Sequence, residues 1–139
     1  MSWKYRCDGV DHIHEASAAG RLTAAFQMAL NARGRTFRLP SSRGAFQYDE
    51  RALVFLSGAK GVTDTASLGP LIHAAGPVIA VVSPPGAGEE PDSTHAIAVI
   101  GITADDRIGY LDPADATGAV RYMDRYELAG RCTRLWVVQ

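Results

Sequence analysis

The first half of the chain carries apolar residues at helical spacing. Within residues 17–33 they fall at positions i, i+3, i+4, i+7 and i+8, which is the pattern of a helix with one buried face: Leu22, Ala25, Phe26, Ala29 and Leu30. Gly34 supplies a C-terminal stop. Because glycine costs about 1 kcal/mol in a helix interior, the regular helix is expected to begin at Gly20 or Arg21.

Two shorter helices are predicted further along the chain. The first spans residues 49–56, with Asp49 as its cap and Gly58 ending it. Its inward side chains are expected to be Ala52, Leu53, Phe55 and Leu56. The second spans residues 65–75, and the glycine-proline pair at residues 76–77 terminates it.

After residue 77 the pattern changes to short runs that are rich in β-branched residues and separated by turn residues. The predicted strands are residues 78–82, 95–102, 107–111, 119–122 and 133–138, with one helical turn at residues 124–128. Helices first and strands second predict an α+β fold. We expect one domain, residues 1–139, with a helical half at about 15–76 packed on a mostly antiparallel sheet or half-barrel at about 77–139.

The length, composition and net charge of the chain reduce the number of functions that it could have. The chain has 139 residues, 47% of them apolar, which suits a single core. Its net charge of -1 offers no basic field for nucleic acid, and its apolar runs of about seven residues are too short to cross a bilayer. The N-terminal segment lacks the apolar region of a secretory signal, so we expect a cytoplasmic protein or one exported without a classical signal. Two cysteines make no disulfide framework.

Two polar residues stand at the ends of neighbouring predicted strands. His95 opens an otherwise apolar strand, and Asp112 closes the next. If a four-residue turn follows Ile102, that residue faces Arg107 and His95 faces Ala114. Asp112 is then a diagonal neighbour of His95 on the same face, roughly 7 to 8 Å away between backbones. A carboxylate that orients an imidazole is part of a hydrolase triad. A strand-end histidine beside an ordinary turn-opening aspartate is the alternative interpretation.

Three motifs carry a resemblance to a known family. They are the strand that opens with Gly76-Pro77-Val78-Ile79, the apolar strand that starts at His95 and runs through Gly101, and the strand that closes with Tyr110-Leu111-Asp112-Pro113. In this order the chain, from about His14 onward, resembles a compact bacterial papain-like cysteine peptidase. The resemblance implies a papain-like fold in which His95 matches the catalytic base and Asp112 the residue that orients it.

The helix side departs from this family, whose members have a Cys-Trp pair at the start of the first long helix and a Gln six residues earlier. A gap-free alignment on residues 21–28 places Arg21 at the nucleophile position, Leu22 at the Trp and Glu15 at the Gln. A guanidinium stays protonated and has no lone pair to offer, so His95 cannot activate Arg21. An ionised Glu15 would repel the oxyanion that an amide stabilises.

These replacements predict a non-catalytic papain-like domain that needs no cofactor or metal. We expect it to bind a protein or peptide partner, including a second copy of itself, in the cleft between its two halves, with residues 83–94 as the rim. A cation near a helix N-terminus is disfavoured by roughly 0.3 to 1 kcal/mol. We therefore also expect an ion pair between Arg21 and Glu15, Asp112 or both.

Two alternatives remain open at this point. An active cysteine peptidase or amidase would need Cys7 as nucleophile, brought to His95 by a folded-back N-terminal arm. A metal site would draw on the ligand-rich segment that contains Cys7, Asp11, His12, His14 and Glu15. The same arm carries Trp3 and Tyr5, which either cover the domain or contact a partner.

Overall fold

The computed structural model describes residues 2–16, 20–35, 38–39, 50–63, 65–82 and 95–138. Its strands are β1 (Trp3–Arg6), β2 (Ala59–Val62), β3 (Val78–Val82), β4 (His95–Thr103), β5 (Arg107–Leu111), β6 (Arg121–Asp124) and β7 (Cys132–Val138). Its helices are α1 (Arg21–Ala32), α2 (Glu50–Ser57), α3 (Leu68–Ala75) and α4 (Arg125–Arg131), and a 3₁₀ turn at Thr65–Ser67 leads into α3.

All the described strands belong to one antiparallel sheet in the order β2-β7-β3-β4-β5-β6, with β1 paired to the far end of β4. The predicted α+β class is confirmed. The sequence pattern predicts strands only after residue 77, but β2 lies within the helical half. Its sequence, Ala-Lys-Gly-Val, has weak strand propensity, and it becomes a strand because it pairs along its length with β7.

The sheet is covered on both faces, which explains why β3 and β4 are apolar at nearly every position. Alternate residues of these strands enter two separate cores. The first core lies under α1 and α2 and includes Phe26, Leu53, Ile79, Ala98 and Ile100. The second lies under α3 and α4 and includes Leu68, Ile72, Val99, Ile108 and Leu128.

Helix α1 begins at Arg21, as predicted, and Gly34 follows it with a φ of 72°. The predicted inward face of α2 is partly wrong. Leu53 is fully buried, but Phe55 is 85% exposed and Leu56 36%. This short helix buries only a narrow side, so apolar residues next to that side remain in solvent. The proposed cap Asp49 and residues 17–19 lie outside the described residues.

The end of the chain follows the prediction with a shift. Strand β6 covers residues 121–124 instead of 119–122, and α4 follows it directly. Asp124 caps α4, because its side chain accepts a hydrogen bond from the Tyr126 N–H at 2.7 Å. Across the described chain, the longest helix has 12 residues, and no helix has the length and apolar character that a bilayer crossing demands.

Candidate functional site

The ends of β4 and β5 bring His95 and Asp112 together. In the β4–β5 ladder Ile102 pairs with Ile108, whereas the predicted partner is Arg107. An irregularity between Val99 and Gly101 shifts the pairing by one residue, so the predicted register holds from Val99 towards His95. The ladder ends where Ala98 faces Leu111. Continued by three residues, the same register sets His95 opposite Ala114, so Asp112 is the predicted diagonal neighbour.

The two side chains form a close polar pair. His95 Nε2 lies 2.9 Å from Asp112 Oδ1, with side chains 17% and 23% exposed. The same carboxylate oxygen accepts a hydrogen bond from the Ala114 N–H at 2.9 Å. Burial raises the pKa of Asp112, but the hydrogen bonds from His95 and Ala114, together with the positive charges of His95 and Arg21, outweigh it and leave this pKa lowered. Asp112 is therefore a carboxylate that fixes one nitrogen of the imidazole.

Tyr110 adds a phenol beside this pair, two residues before Asp112 on β5. Burial and the Asp112 carboxylate raise the pKa of Tyr110, so the phenol stays protonated at neutral pH. Its placement follows from the period of two along a strand. The alternation of side chains along a strand could therefore have predicted, from the sequence, that Tyr110 lies on the same side as Asp112.

The main chain of the Asp112-Pro113 corner is held by the segment that precedes α1. His12 Nε2 lies 2.7 Å from the Asp112 carbonyl oxygen, and the Glu15 N–H donates to the Pro113 carbonyl at 2.8 Å. From its sequence position, His12 is predicted only as a candidate metal ligand. Since 100 residues separate it from Asp112, no local pattern could have indicated the contact.

Arg21 and Glu15 lie together at the start of α1. The Arg21 guanidinium donates to the carbonyl oxygens of Glu15, at 3.4 Å, and Ala16, at 3.1 Å. The Glu15 carboxylate packs against Gly20, where an added Cβ would come within 2.8 Å of Oε2. A carboxylate at this helix end is favoured by the helix dipole. The positive charge of Arg21 also helps to lower the pKa of Asp112.

The structure does not bring Cys7 to His95. The Cys7 N–H donates to the Ile100 carbonyl at 2.8 Å. Ile100 is five residues from His95 on the same strand, roughly 16 Å at about 3.3 Å per residue, which is more than the two side chains can bridge. Burial and the Asp8 carboxylate raise the pKa of the Cys7 thiol, and Arg33 offsets this only in part. An activated thiolate needs the opposite shift.

Cys132 is also separated from His95. Both residues pair with Val82, from opposite sides of β3, so two strand spacings, roughly 10 Å, lie between their backbones. Val82 is 2% exposed and fills that space. Burial raises the pKa of the Cys132 thiol, whose Sγ contacts the Arg134 carbonyl at 3.4 Å.

The ligand-rich N-terminal segment does not assemble a metal site. Among the residues that the structure describes, no three of the His, Cys, Asp and Glu side chains are placed to hold one ion. His12 is bonded to the Asp112 carbonyl, and His14 is exposed to solvent. The predicted rim of the cleft, residues 83–94, lies outside the described residues.

Comparison with known proteins adds information on the fold. No protein-family model and no curated protein matches the sequence. Among solved structures, the chain is similar to the peptidase domain of Streptococcus ComA, a bifunctional ABC transporter involved in a quorum-sensing pathway. The TM-score is 0.66 at 13% identity, over 93% of this chain and 96% of that domain. The chain has a papain-like fold.

This similarity extends over nearly the whole chain, so it includes the helices and the sheet together. It confirms the fold expected from the resemblance. At 13% identity it carries no residue roles. The chemistry of the site depends on this chain's own side chains. They are a carboxylate and an imidazole in contact, an arginine at the start of α1, and two thiols that are both remote from the imidazole.

Proposed function

We propose that this chain is a non-catalytic papain-like domain that binds a protein or peptide partner in the cleft around His95, Asp112 and Arg21. The observation that carries the proposal is Arg21. It is the first residue of α1, where the family places its nucleophile, and its charge acts on the carboxylate that orients His95. A protonated guanidinium offers hydrogen-bond donors to a ligand and no electron pair for attack.

The cleft suits a ligand with carbonyl and carboxylate groups. Arg21 already bonds two carbonyl oxygens of its own chain, which is the contact that it could make with a peptide backbone. The contacts that His95 and the Ala114 N–H make with Asp112 are both to its Oδ1, and they compensate part of the carboxylate's charge. Because His95 turns its Nε2 to Asp112, the donors that the described residues offer to a ligand here are the Arg21 guanidinium and the Tyr110 phenol.

The position of Arg21 can be tested by placing a thiol there. In a Cys7→Ala, Cys132→Ala background, we expect the thiol introduced by Arg21→Cys to have a pKa at least about one unit below the usual value near 8.5, because the helix N-terminus and His95 stabilise a thiolate. Adding His95→Ala should return the pKa towards that value. The readout is the pH dependence of the alkylation rate.

Leu22→Cys in the same background is the matched control, since it moves the thiol by one helical position. We expect its pKa to be independent of His95. If both introduced thiols titrate alike, and neither responds to His95→Ala, then Arg21 does not face His95 and the proposed site is wrong.

Binding itself is tested with a displayed library of random peptides. Peptides that bind the parent chain should bind Arg21→Glu at least about tenfold more weakly, because the main donor becomes an acceptor. Arg107→Glu makes the same change in charge at an exposed position, the first residue of β5, at the opposite end of this strand from Asp112. Equal affinity for the two variants, or no enriched peptide at all, would refute a peptide site at Arg21.

The same alkylation method tests Cys7 as nucleophile. We expect the reactivity of Cys7 in the parent chain to rise only above the usual thiol pKa and to be unchanged by His95→Ala. A lowered pKa that returns on losing His95 would instead establish a Cys7-His95 pair, and with it an active peptidase or amidase.

A further inference from the structure

The N-terminal strap, residues 2–7, lies along β4 as an added strand. Trp3, Tyr5 and Arg6 pair with residues 103, 102 and 101 of β4. The Ser2 carbonyl accepts from the Ala104 N–H at 3.0 Å, and the Cys7 N–H donates to the Ile100 carbonyl at 2.8 Å. Main-chain hydrogen bonds therefore fix the strap at both of its ends.

Trp3 sits in a socket made by two glycines. Gly101 and Gly109 face each other across β4 and β5. A Cβ on Gly101 would come within 2.6 Å of the indole, and a Cβ on Gly109 within 2.5 Å. The Tyr122 ring lies 5.9 Å from the Trp3 ring, and the Arg6 guanidinium lies 5.2 Å from the indole centroid. Any larger residue at these two strand positions would exclude the indole.

Tyr5 holds the strap to a second element. Its ring packs so closely on Gly69 of α3 that an added Cβ there would clash with the ring. Tyr5 and Cys7 both border the second core. The strap is therefore attached through two aromatic side chains that fit glycine positions of the folded domain.

The attachment is nevertheless shallow. Trp3, Tyr5 and Cys7 are half-buried, and Lys4 and Arg6 are exposed. Asp8 and Gly9 follow as an exposed connection, with Gly9 at a φ of 77°. The chain is anchored again at Val10, which packs against the first core. A short strand with no fully buried side chain opens locally at a lower free energy than the core of the domain does.

We propose that the strap is a gate. It swings out as a unit about Asp8 and Gly9, uncovering the Cys7 thiol and the edge of β4 at residues 101–103, while both cores and the His95-Asp112 pair stay folded. Docking of the strap thus slows the modification of Cys7, whose side chain is half-buried while the strap is docked. This inference does not depend on the proposed binding function.

Thiol labelling under native conditions tests the gate. In a Cys132→Ala background, the labelling rate of Cys7 with iodoacetamide reports each opening of the strap. We expect Trp3→Ala to raise this rate about tenfold, since the socket loses its occupant. Gly109→Ala should raise it similarly, because the added methyl displaces the indole without changing the strap.

Gly130→Ala is the matched control for the glycine substitution. Its added Cβ would meet nothing within 4 Å, so the labelling rate should not change. If Trp3→Ala and Gly109→Ala label no faster than Gly130→Ala, the proposal is wrong.

Denaturant distinguishes the gate from global unfolding. Opening of the strap exposes little surface, so labelling in low urea should depend only weakly on urea concentration. In nuclear magnetic resonance spectra the His95 ring signals should stay unchanged in the Trp3→Ala variant. A labelling rate that follows the steep urea dependence of global unfolding would overturn the proposal, and so would a shift of the His95 signals.

Discussion

The two sides of the candidate site are held together in different ways. On the sheet side, the Asp112 carboxylate bonds the His95 imidazole and the Ala114 N–H, and His12 holds its carbonyl. On the helix side, the Arg21 guanidinium bonds carbonyl oxygens that precede its own helix. The sheet side thus places a carboxylate against an imidazole, and the helix side bonds its cation to carbonyl oxygens close by in the sequence.

This difference teaches that the position of α1 does not depend on which residue begins the helix at the candidate site. Helix α1 is fixed by Phe26, Met28 and Ala29, which are fully buried against the sheet, and not by its first residue. A residue at the start of this helix can therefore change without altering the backbone that presents it. Four predictions test how independently the core, the sheet side and the helix side contribute to stability.

The largest effect is expected from the core under α1. Phe26→Ala should lower the free energy of unfolding by about 3–5 kcal/mol, since a fully buried aromatic ring leaves a cavity. Urea denaturation followed by circular dichroism measures it. Phe55→Ala makes the same truncation at a position that is 85% exposed and should change stability by less than about 0.5 kcal/mol. Equal losses would contradict the assignment of α1 as the buried helix.

An intermediate effect is expected on the sheet side. Asp112→Ala should lower the free energy of unfolding by about 1–3 kcal/mol, because His95 and the Ala114 N–H lose their acceptor. The same truncation at Asp11, which is exposed, should have little effect. If the two variants unfold at the same urea concentration, the His95-Asp112 pair does not contribute to stability.

The sheet side should also respond to acid. Folding lowers the pKa of Asp112 from its usual 3.8, so the unfolded chain binds its proton first as the pH falls. The contribution of this carboxylate is complete above pH 3.8 and is lost as the pH falls through the lowered folded value. Stability measured between about pH 5 and pH 2 should therefore fall less steeply in Asp112→Ala than in the parent chain. Parallel curves would contradict this.

The smallest effect is expected on the helix side. Glu15→Gln should lower the free energy of unfolding by about 0.3–1 kcal/mol, because the carboxylate packs at the positive end of α1. The difference should shrink in high salt, which screens the helix dipole. Urea denaturation at low and high ionic strength measures it. A loss that is the same at both ionic strengths would indicate packing of the side chain instead of its charge.

Much of the fold could be predicted because its helices and strands follow from patterns among residues that are close together in the sequence. The apolar stripe of α1, the β-rich runs after residue 77 and the parity that joins His95 to Asp112 are all properties of neighbouring positions. The pairing near His95 was correct although the turn was displaced by one residue, because the irregularity after Val99 compensates. Phe55 was misjudged because periodicity indicates an apolar face without showing how much of that face is covered.

By itself, the sequence determined the α+β class, the start of α1 and the pair of polar residues at the ends of β4 and β5. Only the tertiary structure decided that residues 59–62 become a strand, that His12 holds the Asp112 carbonyl, and that Cys7 lies beside Ile100, away from His95. The physical reason is the distance along the sequence between the residues that each kind of interaction joins. Periodicity and capping act between residues that are close in sequence, whereas strand pairing and side-chain contacts join segments up to 100 residues apart.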